Sequence, residues 1–224
     1  MTGPAPSLHL RGLLPADERA RWLSGVYAAR AAWTPCFEGV QFTLGRAYYT
    51  HLEEGRSDEY FAGAGASDHA VERAVPGLQA RMRAMAAELL RGPVAARPGW
   101  CGPGVHVFPA GDWLAQHGGD VHFDTEGLRP HELAARAPAL SLVLMLQPPE
   151  RGGGLRLWDA LYDGDETLPD VASVPSVVVD YGPGDLLAFD SYRLHQILPF
   201  DGARDRVSVT AHLVLGPQGW EAWF

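Results

Sequence analysis

Residues 186–214 read LLAFDSYRLHQILPFDGARDRVSVTAHLV. Three apolar-rich runs, Leu186 to Phe189, His195 to Leu198 and Val207 to Val214, are too short for helices and are parted by Asp, Ser, Gly and Pro, which is how strands joined by turns are punctuated. The same texture extends upstream through Val105 to Phe108, Asp120 to Phe123, Ser141 to Leu146, Leu155 to Trp158 and Val177 to Asp180, which makes eight short strands. Eight is the strand count of a jelly roll, or double-stranded β-helix, whose two sheets can hold a ligand between them. The expected fold class is therefore α+β, mainly β.

The first hundred residues carry a different period. After Pro15, the residues Trp22, Leu23, Val26 and Tyr27 recur at helical spacing, and a second helical region follows Ser67, an N-cap type. Its better half runs from Pro76 to Gly92 with Leu78, Met82, Met85 and Leu89 on one stripe. Val40 to Tyr49 alternates loosely, as a strand pair or an edge does. These features divide a single expected domain, 1–224, into a helical N-terminal layer and lid (1–100), a jelly-roll core (101–216) and a C-terminal tail (217–224). Arg129 to Arg136 reads as a short helical insertion and Tyr162 to Val174 as a long acidic loop.

Composition excludes whole mechanisms. All 18 Lys+Arg cations are Arg, no Asn occurs, and the formal net charge is −9. Schiff-base chemistry and a phosphate-loop lysine are thereby absent, and any anion is gripped by Arg or His. A negative chain without a basic block argues against nucleic-acid binding. Cys36 and Cys101 are too few for a disulfide framework and read as small core residues in a reducing compartment. Met1 to Leu10 lacks the basic-then-apolar order of a secretory signal, and Ala137 to Leu146 is too short to span a membrane. The expectation is a soluble, cytoplasmic protein acting on a small molecule, with no membrane partner; the sequence does not define an oligomeric state.

His122-Phe123-Asp124 sets two metal-competent side chains on one face of an extended segment. His195 supplies a third after 70 intervening residues, and Arg206-Val207-Ser208 follows after ten more, again with both polar side chains on one face. Two imidazoles and one carboxylate are the facial triad of non-haem Fe(II) oxygenases. In this order, His-x-Asp, distal His and Arg-x-Ser, the chain resembles the Fe(II)/2-oxoglutarate-dependent dioxygenases. Gly153 to Asp159 and Gly184 to Phe189 are similar to that family's core strands, and the resemblance covers roughly Val105 to Leu215. It implies a jelly-roll core, Fe(II) held by His122, Asp124 and His195, 2-oxoglutarate held at its far carboxylate by Arg206 and Ser208, O2 as oxidant, and succinate and CO2 as co-products of hydroxylation at an unactivated C–H bond. A bidentate guanidinium suits that carboxylate.

Alternatives stay open at this stage. Phe108-Pro109-Ala110-Gly111 leads to His117-Gly118-Gly119, a His-x-Gly similar to the halogenases of the same superfamily. The His122/Asp124 register is preferred because it retains the anionic ligand that divalent iron favours, with His117 at the pocket mouth. Cyclisation, desaturation, epoxidation and peptidyl hydroxylation share the same cofactor set, and a cupin-like isomerase or binding module would use a metal without 2-oxoglutarate. Arg204 rivals Arg206 but falls in a turn beside Asp201 and Asp205. His212 shares the parity of Arg206 and Ser208, whereas His9, His51, His69, His106 and His131 carry no pattern. Arg129, Trp113 and Tyr192 are the expected substrate contacts, with Tyr48, Tyr49 and His51 as lid residues.

Overall fold

A computed structural model describes residues 7–165 and 167–224; the first six residues of the Met1 to Leu10 stretch lie outside them. The chain opens with β1 (Leu8–Leu10), α1 (Ala16–Ala28), β2 (Thr34–Cys36) and β3 (Gln41–Leu44). Four helices follow, α2 (Tyr48–Glu53), α3 (Ser57–Ala62), α4 (Ala64–Ala74) and α5 (Leu78–Leu90), before β4 (Val94–Ala96) and β5 (Gly104–Phe108). Short helices α6 (Trp113–His117) and α7 (Pro130–Ala134) then precede β6 (Ala139–Gln147), β7 (Arg151–Gly152), β8 (Leu155–Leu161) and β9 (Ser176–Val179). The remaining elements are β10 (Leu186–Asp190), β11 (Arg193–Ile197), β12 (Phe200–Asp201), β13 (Arg206–Gly216) and β14 (Gly219–Trp223).

The large sheet runs β1-β10-β6-β13-β5-β3-β2 with antiparallel neighbours, and β14 pairs with β13 and, in parallel, with β4. A smaller antiparallel sheet, β11-β8-β9, and the ribbon β12-β7 complete a mainly β architecture consistent with a jelly roll. Strand parity decides what faces what. On β13, Val207, Val209, Ala211 and Leu213 join Val105 and Val107 of β5 and Leu142, Leu144 and Leu146 of β6 in a core shared with Trp22 and Val26 of α1, Val71 of α4 and Leu78, Met82 and Met85 of α5. The alternate residues, among them His106, Phe108, Arg206, Ser208, Thr210 and His212, line a cavity on the sheet's other face. Because the side-chain period is two, one register on β13 puts Val207, Val209, Ala211 and Leu213 behind the sheet and Arg206, Ser208, Thr210 and His212 in front of it.

Several expectations are corrected. Asp120 to Phe123 is no strand; it meets the small sheet through one bridge, His122 opposite His195. The flanking Gly118 and Gly119 and the turn after Asp124 leave no length for a ladder. Residues 217–224, read as a tail, include β14, and Trp223 and Phe224 are buried. Two tryptophans in eight residues needed burial, and β13 offers them an edge. Val40 to Tyr49 divides between β3 and the start of α2, and Ser67 lies inside α4, where its Oγ accepts from the Arg46 N–H instead of capping a helix. Cys36 and Cys101 are buried and unpaired. Among the described residues, no helix is long and apolar enough to cross a membrane.

The buried Asp185 accepts from the backbone N–H groups of Gly12 at 2.8 Å and Gly182 at 2.7 Å, and meets His9 Nε2 at 2.8 Å, so it pins β1 to β10. Burial alone would raise its pKa, but these donors hold it below the ordinary 3.8. A carboxyl whose folded-state pKa is depressed stabilises the fold above its unfolded value and loses that contribution as pH falls through the folded one. Asp185→Asn is expected to cost about 1–3 kcal/mol at pH 7 in urea unfolding. The gap to wild type should shrink below pH 3.8; a gap that is constant down to acid pH would contradict the assignment.

Candidate active site

Backbone bonds fix the metal-competent residues before their side chains matter. His122 N–H donates to His195 O at 3.0 Å, His195 N–H returns the bond at 2.9 Å, and Asp124 N–H donates to Ser191 O at 2.9 Å. His122, Asp124 and His195 thus converge, with one donor atom from each lying within 4.8 Å of the others. Both Nε2 atoms stand 3.5 Å from the Asp124 carboxylate. His122 Nδ1 donates to Asp120 O at 2.8 Å and His195 Nδ1 to Arg193 O at 2.9 Å. A carbonyl only accepts, so Nδ1 carries a proton and Nε2 is the atom left to take an ion, as in ordinary metal-binding histidines. The donor set therefore fits a divalent transition metal that prefers imidazole and carboxylate and keeps open positions.

The carboxylate is itself oriented. Ser141 Oγ donates to Asp124 Oδ2 at 2.5 Å and lies 2.9 Å from Ser191 Oγ and 3.2 Å from His212 Nδ1. Burial would raise the Asp124 pKa, but His195, His212 and His122 hold it well below the carboxylate range. Burial likewise opposes the charged form of His122, yet Asp124 outweighs it and lifts that imidazole to about 9. His212, also beside Asp124, is lowered by burial.

At the other end of the cavity, Arg206 is only 1% exposed. Its guanidinium lies between the rings of Phe108 and Tyr181, 5.4 and 5.5 Å away, and donates to Gly153 O at 3.1 Å and Ser208 Oγ at 3.3 Å. It forms no ion pair among the described residues, although burial pulls its pKa down and a carboxylate would restore it. A buried, unpaired cation of this kind is expensive, and it fits an anion delivered by a ligand. The cavity joining Arg206 to the triad measures about 460 Å³ and is walled by apolar side chains including Val143, Leu155, Phe189 and Ile197.

No protein-family model matches the sequence, and no curated protein does. Solved structures match across almost the whole chain. An N-substituted L-amino acid dioxygenase from Burkholderia ambifaria, in complex with alpha-ketoglutarate, is 15% identical with a TM-score of 0.58, covering 97% of this chain and 86% of that one. This is the fold of known 2-oxoglutarate-dependent enzymes. The epimerase SnoN, in complex with Fe3+, alpha-ketoglutarate and nogalamycin RO, is 18% identical with a TM-score of 0.55 over 92% of this chain and 77% of that one. A prolyl hydroxylase from Trichoplax adhaerens, in complex with a hypoxia-inducible-factor peptide, is 13% identical with a TM-score of 0.53 over 91% and 81%.

On this fold the residues singled out from sequence separate into two groups. His122, Asp124, His195, Arg206 and Ser208 share one cavity wall with Trp113, which is 53% exposed at the mouth. His212 and Tyr49 also line it. Arg129 does not: it is exposed, caps α7 and pairs with Glu132 at 3.8 Å. Tyr192 is buried elsewhere, with its hydroxyl on Ala137 O and its side chain in the apolar cluster that holds Leu128, Ala139 and Trp223. Tyr48 packs on Tyr60, Phe61 and Trp100, and the His51 ring is buried against Ala47 O. His117 is exposed, stacked on Trp113 at 4.7 Å, and outside the cavity wall, while Arg204 sits 4.0 Å from Glu150 in the turn.

Four titratable cavity residues were not among the site residues expected from sequence: Glu53, His106, Asp120 and Glu126. Glu126 stands two residues past Asp124, so the alternation that joined His122 to Asp124 also reaches it. Burial, then the Asp124 carboxylate, raise it to about 7. Glu53 comes from α2 and had no local cue, since only the packing of the N-terminal helices brings it to the mouth.

Proposed function

We propose that this chain is an Fe(II)- and 2-oxoglutarate-dependent oxygenase that hydroxylates an unactivated C–H bond of a small molecule, such as an amino acid or specialised metabolite. The observation that carries the reading is the buried, unpaired Arg206 sharing one cavity with the His122, Asp124 and His195 cluster. His122, Asp124 and His195 would hold the ion, and Arg206 with Ser208 the far carboxylate of the co-substrate. Bound there, Fe(II) and 2-oxoglutarate supply oxidative decarboxylation by O2, with succinate and CO2 released as the substrate is hydroxylated. Ser141 keeps the Asp124 carboxylate from turning, and the apolar wall between triad and Arg206 limits water around the reacting groups. We read the helices before residue 100 as a layer on the sheet within one domain, and the unpaired cysteines as support for a reducing, cytoplasmic setting.

Anaerobic addition of Fe(II) and 2-oxoglutarate to metal-free protein should produce the weak visible charge-transfer band of the chelate. The absence of both that band and any metal-dependent 2-oxoglutarate binding by calorimetry would refute the oxygenase reading. The choice of register has its own test, in which equilibrium dialysis counts bound ion. His122→Ala is expected to lose the stoichiometric ion and His117→Ala to keep it; the reverse result would favour the halogenase-like register.

A further inference from the structure

One stretch of the cavity wall comes from the N-terminal half. Phe37 in the turn between β2 and β3, Gln41 at the start of β3 and Tyr49 of α2 all line it, and none belongs to the His-x-Asp, distal His and Arg-x-Ser pattern. Strand parity places Gln41 there: Phe42 pairs with Val107 and packs behind the sheet, so its neighbour falls on the cavity side. Phe37 and Glu38 hold φ of +52° and +57°, left-handed values that residues other than glycine seldom adopt. The Phe37 N–H donates to Glu54 Oε1 at 2.6 Å, which secures the turn and leaves the Phe37 ring 6.3 Å from that of Tyr49.

The polar pair in this wall is incomplete. Gln41 is 3% exposed, and its one side-chain hydrogen bond among the described residues runs from Nε2 to the Tyr49 hydroxyl oxygen at 2.5 Å. The Tyr49 hydroxyl proton and Gln41 Oε1 are then both without a partner among the described residues. Turning the amide over only exchanges the roles: Tyr49 donates to Oε1, and the Gln41 NH2 and the phenol oxygen are left. Either way the pair shows the cavity one donor and one acceptor side by side. Buried side-chain amides ordinarily use both ends, so a half-used one in a cavity wall calls for a ligand. Burial, with the nearby Glu53 and Asp124 carboxylates adding to it against the bond from Gln41, raises the Tyr49 pKa and keeps the phenol neutral. The same carboxylates disfavour an anion at this place. A carboxylate would also set acceptor against acceptor, and an ammonium donor against donor. A ketone leaves the acceptor empty, and a hydroxyl must serve both partners from one atom. A carboxamide or lactam offers C=O and N–H from two atoms in one plane.

We propose that Gln41 and Tyr49 recognise the substrate, and that it presents to them a neutral carboxamide or lactam with an apolar portion against Phe37; this rests on the oxygenase reading above for the reaction itself. Binding is the appropriate readout, with Mn(II) in place of Fe(II) to prevent turnover. Four probes that share a phenethyl group, 3-phenylpropanamide, 4-phenylbutan-2-one, 3-phenylpropan-1-ol and 3-phenylpropanoate, are titrated calorimetrically into protein loaded with Mn(II) and 2-oxoglutarate. The amide is expected to bind about fivefold or more tightly than the ketone and the alcohol, and the carboxylate more weakly than either. Gln41→Leu and Tyr49→Phe should each weaken the amide by about fivefold or more. Whichever of them removes the acceptor should leave the ketone unchanged, since a ketone has no proton to give it. Tyr49→Phe deletes a single oxygen and keeps the test decisive if Gln41→Leu misfolds. The inference is overturned if the ketone, alcohol or carboxylate binds as tightly as the amide, if none of the four binds, or if the folded variants retain wild-type amide affinity. Failure of the oxygenase reading looks different: Mn(II)-dependent binding of 2-oxoglutarate is then missing in the same calorimeter while the preference for the amide persists.

Discussion

Arg206→Met is expected to raise the Kd for 2-oxoglutarate by about a hundredfold or more in the Mn(II)-loaded protein, because truncating one partner of a buried charge pair costs several kcal/mol. Arg204→Met, in the exposed turn, should change it by no more than about twofold, as for other solvent-screened charges. The ligand-free proteins should behave in the opposite sense. Wild type buries the Arg206 guanidinium with only Gly153 O and Ser208 Oγ as acceptors. An unpaired buried ion can be replaced by an apolar side chain at little cost or with a gain. The variant should therefore melt at or above wild type without 2-oxoglutarate, and lose the rise in melting temperature that the ligand gives wild type by mass action. Equal affinities in Arg206→Met and wild type, or equal losses in the two variants, would refute the assignment.

Why Arg206 was visible in the sequence while Glu53 was not follows from range. Alternation along one extended segment is local: it pairs His122 with Asp124 and Arg206 with Ser208, and on β13 it sorts four apolar residues behind the sheet from four polar ones before it. Seven of the eight runs read as strands are strands for the same reason. What alternation cannot report is which partner a segment meets. Asp120 to Phe123 has strand-like composition but finds only His195 opposite it. The chain after Gly216 has two tryptophans whose destination depends on β4, some 120 residues earlier. Arg129 lies only five residues past Asp124, yet the capping of α7 by Glu132 points it outward. Tyr192 lies three residues before His195, on the opposite parity, and is claimed by Ala137. Proximity in sequence to the His122, Asp124 and His195 cluster was a weaker guide than parity.

Arg97→Met should destabilise the protein by about 3–5 kcal/mol, the range for removing one partner of a buried ion pair. Arg97 is 1% exposed, with its guanidinium between the rings of Trp100 and Trp223 at 4.4 and 4.5 Å. It donates to Gly127 O and to Glu132 Oε2, both at 2.6 Å, and Glu132 in turn accepts from the Arg129 N–H at 2.7 Å. These bonds tie the segment leaving Asp124 to the start of α7 and to β14. The approach is close enough that a Cβ on Gly127 would meet Trp223 Nε1 at 2.2 Å, so only glycine fits there. Methionine preserves much of the volume but strands the Glu132 carboxylate and the Gly127 carbonyl in an apolar site. Urea unfolding of Arg97→Met, Glu132→Gln and the double variant forms the test: the double should lose clearly less than the sum of the singles, since neutralising Glu132 relieves the stranded charge. Arg97→Lys should rescue only in part, because an ammonium cannot stack flat between two indoles or fork to two acceptors in one plane. Metal affinity supplies a readout that stability alone would not move. If the segment from Asp124 to Leu128 is positioned by Arg97, the folded fraction of Arg97→Met should bind Mn(II) about tenfold or more weakly, as when other supports of metal ligands are removed. Additive losses in the cycle, together with wild-type Mn(II) affinity, would reduce Arg97 to an ordinary packing residue.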